Sequence, residues 1–151
     1  MNVIRRNLCK LFGAMLLAAS TTIAIAQETP KSLEGVTIVD AARVQQMMQS
    51  GASVFDVRVA AEYAEAHIAG AKSLPYREKS AKSTSFDRTQ DSFDLAKLPA
   101  DKNAPIVFYC NASDCWKSYK ASKLAIDGGY KQIHWFHGGL PEWRSKKLPV
   151  K

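Results

Sequence analysis

One hundred and fifty-one residues, 46% hydrophobic and 23% charged, suit a single folded domain. The 21 basic and 14 acidic residues give a formal charge of +7, but the basic residues are scattered, which excludes a concentrated nucleic-acid-binding face. Three cysteines exclude a disulfide framework of the kind that holds small secreted folds together.

The chain opens on "MNVIRRNLCK", with Arg5, Arg6 and Lys10 and no acidic residue, followed by the apolar "LFGAMLLAASTTIAIA". A charged start, an apolar middle and the exit Ala24-Ile25-Ala26 predict a cleavable signal peptide over residues 1–26 and a mature domain over 27–151. The apolar stretch from Leu11 to Ala26 is shorter than the roughly 20 residues that span a bilayer, so no stable membrane association is expected after cleavage. The paired arginines resemble a twin-arginine signal, but an ordinary secretory signal is the preferred reading, with a bacterial-type periplasmic or secreted location. Cleavage removes Cys9 and three positive charges, leaving Cys110 and Cys115 where disulfides persist.

In the mature segment, "VTIV" from Val36 reads as a strand and Asp40 as the N-cap of a helix that Gly51 ends. Val44, Met47 and Met48 form the buried stripe of that helix. "SVFDV" is the next strand, "EYAEAH" a short helix and "AKSLPY" a third strand. Residues 77–97 are polar, with Phe86, Phe93 and Leu95 as apolar anchors, and predict a surface excursion with a helical turn or two near Ser92 to Leu98. "PIVFYC" is apolar nearly throughout, as a strand buried on both faces is. A helix from near Ser118 places Ala121, Leu124, Ala125 and Gly128 on its buried face and Lys120, Lys123 and Asp127 off it. "IHWF" is a last strand and "LPEWRSKK" a closing helix. Strands alternating with helices predict an α/β domain with a mostly parallel, roughly five-stranded sheet.

Chemistry in such a sheet collects at the carboxyl ends of strands, and Cys110 ends the most apolar one. The following Asn111, Ala112, Ser113, Asp114, Cys115, Trp116 and Lys117 run into a helix N-terminus at Ser118. A loop of this kind turns backbone N–H groups inward, and with the helix dipole and Lys117 it favours a thiolate, a persulfide or a bound oxyanion. The alternative is a strand-end thiol packed as a small hydrophobe. Cys115 has four readings: zinc ligand, inert loop residue, disulfide mate or resolving thiol. Zinc would need His134 and His137, whose spacing puts them on opposite faces of a strand and misses the finger pattern, so no metal and no cofactor is expected. Four intervening residues allow a disulfide with Cys110, since the two Cα atoms can approach within about 4.4–6.8 Å. Trp116 either shields the sulfur or packs, and the "NAS" sequon is discounted inside this loop.

The segments "FDVRVAAEYAEAHIAGAKSLPY", "IVFYC" and "GGYKQIHWFHGGLPEW" together resemble the rhodanese-like (sulfurtransferase) family over nearly all of the mature chain. The resemblance implies a rhodanese-like α/β/α sandwich in which Cys110 accepts sulfane sulfur as a persulfide and passes it to a thiol. It gives Asp56, Arg58 and His67 structural rather than catalytic roles. Two departures stand out: the loop is two residues longer than in single-domain members, and Lys117 stands where they carry arginine. Lysine lacks the planar fork that grips a tetrahedral anion, and Asp114 repels one, so poor thiosulfate turnover and no phosphatase activity are expected. The Cys-Trp pair also resembles exported CxxCW proteins associated with PQQ-dependent alcohol catabolism, with four residues rather than two between the cysteines here.

The partners expected are a small sulfane-sulfur donor, a thiol acceptor and a thioredoxin-like reductant, with no nucleic acid. Cys110 and Cys115 are the catalytic candidates. The loop cradle of Asn111, Ala112, Ser113, Asp114, Trp116, Lys117 and Ser118 is the substrate-binding one. A thiol–disulfide redox protein and a non-enzymatic binding module on the same fold are the alternatives.

Overall fold

The structure is a computed structural model that describes residues 27–151; the predicted leader, with Cys9, lies outside the described residues. Five strands, β1 (Val36–Val39), β2 (Ser53–Asp56), β3 (Lys72–Ser73), β4 (Ile106–Tyr109) and β5 (Ile133–Phe136), alternate with four helices. These are α1 (Ala41–Gln49), α2 (Ala60–Glu65), α3 (Trp116–Asp127) and α4 (Gly139–Ser145). The strands form one parallel sheet in the order β1-β5-β4-β2-β3.

Side chains on β4 alternate between the two faces of the sheet. Val107 and Tyr109 join Val44, Met47, Leu140 and Trp143 in one buried cluster, covered by α1 and α4. Ile106, Phe108 and Cys110 join Ala121, Ala125 and Tyr130 in another, on the α3 side. A strand apolar at every position is therefore the middle of an α/β/α sandwich, as the sequence predicts. Asp40 caps α1 by accepting from the Arg43 amide at 2.8 Å, and Glu142 Oε1 accepts from the Ala41 amide at 2.8 Å, which ties α4 to the start of α1.

The strand register brings distant segments together at one end of the sheet. Val39, Phe136, Tyr109, Asp56 and Ser73, each the last residue of its strand, pair in one row across the sheet. The segments leaving that row, among them Cys110, Val57-Arg58 and His137, therefore share one rim.

Several boundaries differ from expectation. The third helix begins at Trp116, with Cys115 as its N-cap, instead of near Ser118. Helix α2 begins at Ala60 and ends at Glu65, ahead of the predicted span. The excursion after Tyr76 carries its helical turn where expected, as a 3₁₀ turn at Leu95–Lys97.

Lys120 corrects the sequence reading most. Helical periodicity places it off the buried face, yet its side chain is fully buried. Its Nζ lies 2.8 Å from Glu78 Oε1, 3.6 Å from Asp91 Oδ2 and 2.8 Å from Ser80 Oγ, and 5.0 Å from the Phe86 ring. The excursion folds back over that side of α3 and supplies the counter-charges, which a helical wheel of α3 alone does not reveal.

Candidate active site

Cys110 follows β4 directly and is only 2% exposed. Its carbonyl accepts from the Leu140 amide at 3.0 Å. Gly139, at φ +59°, packs so tightly there that an added Cβ would clash with that same carbonyl oxygen. The turn from β5 into α4 therefore closes one side of Cys110, and only glycine fits it.

Four residues, Asn111 to Asp114, link Cys110 to the α3 N-cap. The Cys115 amide donates to the Ala112 carbonyl at 3.0 Å, which tightens the loop into a turn. Cys110 and Cys115 form a disulfide, with their Cα atoms 6.2 Å apart. Cys115 makes no side-chain cap bond to the helix. The first turn of α3 thus presents its amides and positive dipole end toward the loop carrying both sulfurs.

The predicted cradle residues divide by direction. Asn111 is exposed and turns toward α2, its Nδ2 donating to Glu62 Oε1 at 2.7 Å and its Oδ1 meeting Arg58 Nη1 at 3.4 Å. Asp114 is exposed, and Ala112 and Ser113 are half-buried. Ser118 faces inward instead of into the loop: its hydroxyl accepts from Trp135 Nε1 at 2.9 Å and meets the Cys115 carbonyl at 3.2 Å. Lys117 is half-buried and helps line a hollow of about 370 Å³ with Val59, Pro75, Tyr76, Arg77 and Glu78. Trp116 is buried edge-on against Tyr119.

Asp56 and Arg58 lie beneath the loop as a buried pair, Arg58 Nη2 to Asp56 Oδ2 at 2.6 Å. Arg58 Nη2 also donates to the Ala66 carbonyl at 2.7 Å. Burial alone would weaken the guanidinium's hold on its proton. The hydrogen bonds and charge of Asp56 outweigh that, so its pKa lies above the ordinary value. The Tyr109 hydroxyl donates to Asp56 Oδ2 at 2.6 Å and accepts from the Ile68 amide at 3.1 Å. Burial first, then the charge of Asp56, push that phenol's pKa well up. His67 stacks on Tyr63 with ring centroids 3.7 Å apart, and its Nδ1 lies 2.8 Å from the Tyr63 carbonyl. These contacts link β2, β4 and the α2–β3 connection, with Asn111 as the one contact to the loop.

Sequence reasoning did not find the strap formed by Gln27 to Thr29. The Trp116 Nε1 donates to the Gln27 carbonyl at 2.8 Å. The Thr29 amide and hydroxyl both donate to the Ser113 carbonyl, at 2.9 and 2.6 Å. Thr29 Oγ1 also meets His137 Nε2 at 2.9 Å. Burial lowers the His137 pKa, with partial opposition from Glu28 and Glu142. No local pattern in "QETP" signals this contact, because its partners lie more than 80 positions away. His134 lines a different hollow, with Arg43 and Gln46, so the two histidines do not converge on the cysteines. Among the described residues no group of three or more His, Cys, Asp or Glu is placed to hold a metal ion.

Comparison with known proteins agrees with this geometry. Residues 40–146 match the rhodanese-like domain. The chain is 27% identical to the thiosulfate sulfurtransferase GlpE of Pseudomonas aeruginosa over 105 residues, covering 68% of this chain and 79% of that protein. It is 25% identical to the mitochondrial protein HIGH ARSENIC CONTENT 1 of Arabidopsis thaliana over 114 residues, covering 76% of this chain and 65% of that protein's length. Among solved structures, a rhodanese-related protein from Thermoplasma volcanium superposes with a TM-score of 0.57 at 20% identity, over 76% of this chain and 97% of that one. A protein from Bacillus halodurans superposes with a TM-score of 0.57 at 24% identity, over 76% of each chain. Both structural likenesses concern the fold. With the sheet order, the strand-end cysteine and a match across most of the described residues in agreement, the chain belongs to the rhodanese-like domain family.

Proposed function

We propose that this protein is an exported sulfurtransferase that carries sulfane sulfur on Cys110 as a persulfide and delivers it to a thiol acceptor, with Cys115 as resolving thiol. The carrying observation is the disulfide joining Cys110, at the carboxyl end of the central strand, to the N-cap of α3. A persulfide on Cys110 has two fates there. An acceptor thiolate attacks its outer sulfur, and Cys110 departs as a thiolate among loop amides. Alternatively the Cys115 thiolate attacks the inner sulfur, expels hydrosulfide and closes the Cys110–Cys115 disulfide, so the sulfane sulfur is reduced as the two thiols are oxidised. The kinship with proteins named thiosulfate sulfurtransferase supports the reaction class. Export rests on the leader-like first 26 residues.

The test is intact mass after donor treatment. Reduced protein given polysulfide or thiosulfate should gain one sulfur, C110S should gain none, and C115S should gain one and keep it longer. No gain on reduced C115S with any donor, together with no donor-driven closure of the disulfide in the wild type, sinks the reading. A second reading, a thiol–disulfide redox protein, is favoured by the same disulfide. It predicts a reversible reduction potential that depends on both cysteines, with no sulfur loading.

A further inference from the structure

The two sulfurs of the disulfide are unequally presented. Cys110 is 2% exposed and packs in the buried cluster that includes Val57, Tyr76, Phe108 and Ala121. Its carbonyl side is closed by Gly139 and Leu140. Cys115 is half-buried at the helix end of the loop, where it packs against the edge of that cluster next to the exposed Asp114. A thiolate attacking a disulfide approaches in line with the S–S bond, from behind the sulfur it strikes, because one bond forms as the other breaks. Cys110 is enclosed within that cluster, whereas Cys115 packs against its margin and keeps part of its surface accessible.

We propose that the Cys110–Cys115 disulfide is reopened by a dithiol reductant that attacks Cys115, never Cys110. The proposal rests on reading the disulfide as a species the protein forms during its work. A thiolate of the reductant bonds to Cys115 Sγ, the Cys115–Cys110 bond breaks, and its electron pair leaves on Cys110, whose thiolate stays among the loop amides. The reductant's second thiolate then attacks its own partner sulfur, releasing the Cys115 thiolate and closing the reductant's disulfide. Two electrons pass from the reductant to the protein, and the protons that the reductant's thiols give up and the new thiolates take up exchange through solvent. Cys115 thereby serves as the docking sulfur for the partner, and the persulfide-bearing atom is never covalently exposed to it.

The probe is a C-x-x-C thioredoxin whose second cysteine is replaced by serine, mixed in excess with the oxidised full chain and quenched with N-ethylmaleimide. A single thiol of this kind reacts with a disulfide and not with a free thiol, so Cys9 stays silent. Proteolysis before Asp114 separates the two cysteines for mass analysis. The expected result is the mixed disulfide on Cys115 and maleimide on Cys110, with at least about tenfold preference. Adduct on Cys110, or equal adduct on both, overturns the proposal. So does the absence of any adduct while a phosphine reduces the same disulfide. A parallel sample, pre-reduced and treated with polysulfide, tests the sulfur-carrying reading alone: its failure to load leaves the trap result standing, and a failed trap leaves the loading result standing.

Discussion

At Tyr109 one hydroxyl satisfies two buried groups, the Asp56 carboxylate and the Ile68 amide. Replacing it with phenylalanine keeps the ring, leaves the buried Ile68 amide without its acceptor and takes one hydrogen bond from Asp56, which keeps Arg58. Y109F should therefore lose about 1–3 kcal/mol in urea unfolding. Arg58 is more exacting, because its removal leaves Asp56, with a side chain 0% exposed, charged and unpaired. R58A should cost about 3–5 kcal/mol by the same measurement, and sulfur loading on whatever folded protein remains should be slower, since Asn111 loses its contact beside Cys110. The sequence marked Asp56 and Arg58 through a resemblance. Tyr109 was legible only as one more apolar position, since its hydroxyl matters through two partners remote in sequence.

Among the elements, α3 is held from both sides by contacts to segments outside the sheet. On one side, Lys120 is clamped by Glu78, Asp91 and Ser80 of the excursion. K120M removes the cation and leaves two carboxylates whose side chains are 12% and 1% exposed, so about 3–5 kcal/mol of stability should be lost. The loss should come with earlier proteolysis between Arg77 and Lys97. On the other side, the strap ties Trp116 and Ser113 through Gln27 and Thr29. Thr29 is 4% exposed and its hydroxyl bonds twice. T29V weakens the strap by about 1 kcal/mol, so local opening of the loop, and with it reduction by dithiothreitol, should quicken by up to about fivefold. Periodicity gave α1 with Val44 and Met47 buried as expected and Met48 only half-buried, because that helix packs on the sheet and on α4 and meets no polar segment that reverses its pattern. It misplaced Lys120 because α3 answers to the excursion as well.

For the whole molecule, acid should loosen the excursion before the sheet. Burial opposes ionisation of Asp91, but hydrogen bonds from Ser80, Lys79 and Tyr76 prevail and hold its carboxyl well below the usual carboxylate range. A folded-state pKa below the unfolded one gives stability that is present above about pH 4 and is lost as the pH falls through the folded value. Urea midpoints should therefore drop below about pH 4, and D91N should flatten that limb while lowering the plateau. The sheet and its strand-end cysteine were legible in the sequence, since apolar runs and their spacing determine both. The strap and the buried lysine were not, because each depends on a polar segment whose partners lie far along the chain.

Trp116 is the residue next to Cys115, and its indole is fixed by the Gln27 carbonyl in a buried setting. A disulfide is an efficient electron acceptor from an excited indole, whereas two thiols are poorer ones. Emission should therefore rise when the Cys110–Cys115 bond opens, and W116F should abolish most of the change while Trp135 and Trp143 continue to emit. The protein thus carries its own optical gauge of its oxidation state, readable in a cuvette without any label.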